Sequence, residues 1–169
     1  MENKKNLILN DNQVRQKLKR MAYEIVENNF NEKEIILAGI WLQGYKVAEL
    51  IKNELDKIAQ FSIVLLKIEL DKELPTQSEI RLDKTIDIVE NKVVIIIDDV
   101  LNTGRTMAYS LKPFLNLKVK KIETASLVNR SHTAFPLSST YTGYELSTTI
   151  NNHVLVEMKK NNSVTVHLV

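Results

Sequence analysis

The 169-residue chain has no cysteine, which excludes disulfides and thiolate metal sites and leads us to expect a cytoplasmic protein. No apolar run approaches the roughly 20 residues that a membrane span needs, so no membrane partner is expected. The opening Met1-Glu2-Asn3-Lys4-Lys5 leads into a polar helical pattern, with no signal peptide expected. Charge of one sign is also lacking: 23 Lys and Arg stand against 21 Asp and Glu, so net charge neither demands nor excludes nucleic acid. Repeats, low-complexity tracts and linkers are missing too, and the length fits one domain spanning residues 1–169. Glycine is scarce. Of the four, Gly39, Gly44 and Gly104 fall at or just after the ends of expected strands, a pattern that points to ligand loops, and only Gly143 does not.

What the chain does have is concentrated between Val93 and Met107. Five consecutive β-branched apolar residues, Val93 to Ile97, form a short bounded run of the kind that fills the centre of a parallel sheet. Asp98 and Asp99 follow at its carboxyl end, then a loop carrying Asn102, Thr103, Gly104, Arg105 and Thr106. Met107, Leu111 and Leu115 then recur at helical spacing. Free N–H groups at a helix start, with two threonine hydroxyls beside them, make a cradle for a phosphate. Paired carboxylates would repel that phosphate, and are better placed to accept hydrogen bonds from sugar hydroxyls. An isolated Asp-Asp would merely cap a surface helix; the whole arrangement describes a ribose 5-phosphate site.

Taken in order, Leu7 to Leu9 form a short edge strand, and Asp11 caps a helix whose inward stripe is Val14, Leu18, Met21, Ala22 and Ile25. Arg15, Lys17, Lys19 and Arg20 on that helix form a solvated face or part of a nucleic-acid surface, and Asn28, Asn29, Asn31 and Glu32 form the loop that ends it. A strand from Glu34 to Ala38 meets the loop Gly39 to Tyr45 and a helix with Val47, Leu50, Ile51, Leu55 and Ile58 inward. That loop belongs at the carboxyl edge of the sheet, where open α/β folds bind ligands. Phe61 to Leu70 form another strand, Ile80–Leu82 and Ile86–Val89 a short strand pair, and Ile122 to Val128 a strand after the phosphate loop. Val128-Asn129-Arg130-Ser131-His132 follows, then Tyr141 to Leu146. The last stretch alternates through Val154, Val156 and Met158, and again through Val164, Val166 and Leu168, with Asn161-Asn162 between them: a terminal β-hairpin.

The string Asp98 to Thr106 resembles the phosphoribosyl-diphosphate (PRPP) motif of type I phosphoribosyltransferases, most closely that of the branch of pyrimidine-operon attenuation regulators that are also uracil phosphoribosyltransferases. The resemblance runs over nearly the whole chain. It implies a mostly parallel α/β sheet flanked by helices, with a small β-rich hood. It implies transfer of ribose 5-phosphate from PRPP to a nucleobase, uracil favoured, with Mg²⁺ held mainly by the diphosphate and ribose hydroxyls. Asp98 and Asp99 would be the catalytic acids that bind the ribose diol, residues Asn102 to Thr106 would bind the 5-phosphate, Trp41, Leu42, Gln43 and Gly44 would form the pyrophosphate loop, and Val128, Asn129, Arg130 and His132 would meet the nucleobase. His153 and His167 find no such support. No residue is expected to act as a nucleophile, and no side chain is assigned to the metal itself.

Two departures bear on activity. The branch presents Thr-Arg-Gly where this chain has Leu42-Gln43-Gly44, so a guanidinium fork for pyrophosphate is missing. The lid region between Asp71 and Glu90 is shorter, and Lys72 is its available cation. These departures keep open a second expectation: a weakly active or inactive regulator that binds PRPP or a pyrimidine nucleotide and RNA. A homodimer, with PRPP and a nucleobase or nucleoside monophosphate as ligands, fits either.

Overall fold

The apolar run does become the centre of a sheet. In the computed structural model, which describes residues 5–76, 79–147, 152–160 and 162–169, strand β5 runs from Val93 to Leu101. Around it lie β2 (Glu34–Ile40), β3 (Ser62–Glu69), β4 (Arg81–Leu82), β6 (Lys121–Asn129) and β7 (Tyr141–Glu145), in the order β4-β3-β2-β5-β6-β7. All neighbours are parallel except β3 and β4. Val93 to Ile97 have no exposed surface. Alternate residues face opposite ways: Ile95 and Ile97 join the core with Ile35 and Leu37, while Val94 and Ile96 join the other with Ile36 and Ala38. Burying each of the Val, Ile and Leu side chains among them stabilises the fold by about 1.5–3 kcal/mol.

The strand is longer than its apolar run. It stays paired with β6 through Leu101↔Asn129, whereas its ladder with β2 stops at Gly39↔Ile97. Asp98 and Asp99 are therefore strand residues, anchored on one side and open on the other.

Helices α1 (Asp11–Asn29) and α2 (Gln43–Leu55) cover one face, and the short α3 (Arg105–Ser110) follows β5. The α1 stripe Val14, Leu18, Met21, Ala22 and Ile25 is buried as its spacing predicts. Its cap is Asn10 rather than Asp11: Asn10 and Gln13 exchange hydrogen bonds of 3.0 and 2.9 Å in a capping box. Asp11 instead accepts from the Val164 N–H at 2.8 Å and from Arg15, tying the helix start to the hood. Asn28 and Asn29, expected in a loop, continue the helix. The reason is that Asn29, 2% exposed, donates to Ile25 O, Glu123 Oε2 and Tyr141 Oη. Helix α3 is one turn and a half, and Leu115 lies 67% exposed; after Pro113 the chain coils into turns that put Phe114 inward in its place.

Gly39 and Gly44 serve packing as much as any ligand. A Cβ on Gly39 would lie 2.4 Å from Tyr45 Cα, and one on Gly44 would lie 2.5 Å from Ile97 O and 2.8 Å from Asp98 Cα. Their absence lets α2 press against the sheet beside the acids. Ile86–Val89, expected as a strand, is a 3-10 turn that drives Val89 into the core. Only Arg81–Leu82 pairs there, antiparallel to β3. A separate three-stranded antiparallel sheet, β1 (Asn6–Leu9), β9 (Val164–Leu168) and β8 (Val154–Met158), forms the hood and contains the expected hairpin. Asn161 of its turn lies outside the described residues. Among the described residues no helix is long and apolar enough to cross a membrane.

Candidate functional site

The two acids stand at the carboxyl edge of the central strand, where β2 has already turned away into α2. Asp98 is 5% exposed. Its Oδ1 accepts from the Asp99 N–H at 3.0 Å and from Lys72 Nζ at 2.9 Å; the same ammonium lies 3.8 Å from Asp99 Oδ1. Burial raises the Asp98 carboxyl to about 7, and the neighbouring Asp99 adds to the rise against the pull of Lys72. Lys72 behaves oppositely: burial lowers it, but the two carboxylates outweigh that and hold the ammonium above its ordinary value.

The loop beyond the acids opens on Gly104, whose φ of +81° is left-handed and precedes the first residue of α3. A Cβ there would meet nothing nearer than 3.6 Å, so the requirement is conformational rather than spatial. Thr103 Oγ1 accepts from the Arg105 N–H at 3.3 Å, and Thr103 O accepts from the N–H groups of Ala134 and Phe135. Together Asp98, Asn102, Thr103, Gly104, Arg105 and Thr106 line a cavity of about 230 Å³, with Lys72 on its wall.

A second cavity of about 450 Å³ shares Asn102 and Thr103 with the first and is completed by Arg130, Ser131, His132, Thr133 and His153. Arg130 is 3% exposed and donates to Asn102 Oδ1 at 3.2 Å, so it fastens the segment after β6 to the loop after β5. Asn129 is turned aside: its amide donates to Glu145, and its Oδ1 accepts from the Ser131 N–H, with Ser131 at a φ of +57°. Val128 is buried in the strand. Of the four residues expected at a nucleobase, Arg130 and His132 line the cavity and Val128 and Asn129 do not.

The loop before α2 is less tightly gathered. Gly44 touches the Asp98 backbone, but Trp41 and Leu42 are 42% and 41% exposed, joined by a cis peptide bond. Trp41 lies under Lys67 and borders a different depression with Glu69 and Arg81. Gln43 opens α2, its Oε1 buried without a hydrogen-bond partner. His153, which found no support in the sequence, reaches this second cavity from the hood, far along the chain. Nothing local marks it, and only the fold of β8 beside the segment after β6 could reveal it.

The family profile described as the phosphoribosyl transferase domain matches residues 6–161. The chain belongs to the phosphoribosyltransferase family. As a phosphoribosyltransferase it is 33% identical over 163 residues to the "Bifunctional protein PyrR" of Staphylococcus carnosus, covering 92% of this chain and 93% of that protein. Its identity to the protein of the same name from Haemophilus ducreyi is 29% over 166 residues, covering 94% and 93%. Among solved structures, this phosphoribosyltransferase superposes on the hypoxanthine phosphoribosyltransferase of Trypanosoma cruzi with a TM-score of 0.75 at 14% identity, covering 95% of both chains. A Bacillus anthracis hypoxanthine-guanine phosphoribosyltransferase gives 0.71 at 19% identity, covering 84% of each. These two confirm the fold that the resemblance implied.

Proposed function

We propose that this phosphoribosyltransferase moves ribose 5-phosphate from PRPP to a nucleobase, with uracil the favoured acceptor, and releases pyrophosphate. One observation carries the reading: buried Asp98 and an amide-rich loop opened by a left-handed glycine line the same small cavity, with the half-buried Asp99 next along the strand. The N–H groups of residues 102–106 and the hydroxyls of Thr103 and Thr106 would bind the 5-phosphate, and Asp98 and Asp99 would accept from the ribose hydroxyls. Arg130 and His132, with His153 opposite, would bound the base. Catalysis would lie in holding the two substrates in line and stabilising charge as the diphosphate leaves.

The donor set fits a divalent cation that arrives with PRPP. The described residues gather no cluster of three carboxylates or imidazoles, so Mg²⁺ would take most of its oxygens from the diphosphate and ribose, with Asp98 and Asp99 at its margin. Bound there, it would neutralise the leaving diphosphate. On this reading residues 1–169 act as one transferase domain in the cytoplasm, as a homodimer.

A second reading, an RNA-binding regulator of low activity, has its own support. A hollow of about 650 Å³ between α1, α2 and the β8–β9 turn is lined by Arg15, Lys46, Lys52, Lys159 and Lys160 and by Glu49, with Arg15 and Lys52 paired to Asp11 and Asp56 beside it. Pyrophosphate release from Mg–PRPP, with uracil and then with other bases, separates the two. Base-dependent release with the matching monophosphate formed is expected. PRPP or nucleotide binding without release would reject the transferase reading in favour of the regulator.

A further inference from the structure

The contact that stands out is the one between Lys72 and the acid pair. Lys72 lies beyond the end of β3, in the connection to β4 that is attached to the sheet by two residue pairs, Ile68↔Leu82 and Glu69↔Arg81. The direction of its side chain is set locally. Asp71 Oδ1 accepts from the N–H groups of Glu73 at 2.9 Å and Leu74 at 3.1 Å, closing a tight turn around Lys72. From that turn the ammonium enters the cavity of the acids and the phosphate loop and bonds to Asp98, whose side chain is 6% exposed, while the Lys72 side chain remains 39% exposed. The cation thus sits where sugar hydroxyls must come to reach the same carboxylate oxygens.

We propose that Lys72 is an internal occupant of the ribose site: in the empty protein its ammonium latches the Asp71–Leu74 turn onto Asp98 and Asp99, and a diol-bearing ligand enters by displacing it. Two features make exchange feasible. The lysine stem is half in solvent, so the freed ammonium can be hydrated without a rearrangement of the core. The acids belong to β5 and stay fixed by the β6 ladder while the Asp71–Leu74 turn lifts. The latch itself rests on the unliganded geometry; the displacement step rests on the PRPP reading above.

Hydrogen–deuterium exchange on the full, ligand-free chain tests the latch. The amides of Glu73 and Leu74 in Lys72→Met should exchange at least tenfold faster than in the parent, with Lys72→Arg close to the parent because it keeps the charge. Parental exchange in Lys72→Met would overturn the latch. The displacement step is tested by the association rate of Mg–PRPP on immobilised protein, which should rise severalfold in Lys72→Met; an unchanged or slower rate would overturn it. If the parent binds no PRPP at all, the function proposed above fails, while the exchange result still decides the latch.

Discussion

Asp98→Asn should make the empty protein more stable, and only above about pH 4, where this carboxyl ionises in the unfolded chain. Asp98 starts from an ordinary value of 3.8 and titrates at about 7 in the fold, chiefly because it is buried and secondly because Asp99 adjoins it. Each factor of ten in proton affinity is worth about 1.4 kcal/mol, so ionising Asp98 in place opposes folding by on the order of 4 kcal/mol. Asparagine is nearly the same shape and its Oδ1 can still accept from the Asp99 N–H. The value of about 7 already includes the pull of Lys72, and that lysine keeps Asp99 nearby once Asp98 is neutral. We expect a net gain of about 2–4 kcal/mol at pH 8, a rise in Tm on the order of 5–10 °C for a chain of this length. The sign follows from proton linkage. The folded state holds this proton more tightly than the unfolded chain, so the parent loses stability as pH rises from about 4 to about 7 and is level above that. Urea unfolding of both proteins at pH 4 and pH 8 should therefore show near-equal stability at pH 4 and a clear advantage for the variant at pH 8. A variant that is less stable at pH 8, or a difference that does not depend on pH, would refute the argument and mean that the Lys72 ion pair outweighs the cost of burying the charge. The same variant should bind PRPP more weakly by calorimetry, which would make the acid a group that costs stability in return for recognition.

Two further substitutions probe separate features. Gly104→Ala should cost about 1–2 kcal/mol from the left-handed φ alone, and weaken 5-phosphate binding more than it alters the fold, read by unfolding and by PRPP calorimetry. Tyr141→Phe removes a 2.9 Å hydrogen bond to Glu123 and a partner of the buried Asn29, and should destabilise by about 1–3 kcal/mol in denaturant without changing the KM for PRPP.

The parts of the molecule that could be read in the sequence are those where one short stretch carries its own physics. The β-branched run before two acids dictated a buried central strand, and the alternation after His153 dictated the hairpin, because strand periodicity is local. Asn29 could not be read this way: three asparagines in four residues look like a loop, and only Glu123 and Tyr141, brought up by β6 and β7, make one of them a buried helix residue. Ile86–Val89 failed for a related reason, since a four-residue apolar run satisfies a 3-10 turn as well as a strand when Val89 alone needs burial. At the site, the acids and the loop were legible as a motif. The pairing of Lys72 with them and the approach of His153 were not, because each depends on where a distant connection lands.

The placement of Trp41 gives the protein a built-in optical gauge. It is the one tryptophan in the chain, half in solvent, with the Lys67 ammonium 4.7 Å above its ring and Tyr45 at 5.9 Å between centroids. Its main-chain N–H is fastened to Ile68, at the root of the connection that carries Lys72. Indole emission therefore belongs to a single known position, and any ligand that lifts that connection or draws Lys67 away changes the polarity around the ring. On the displacement proposed for Lys72, site occupancy should be readable in the unlabelled protein, with no second chromophore of its kind to confuse the signal.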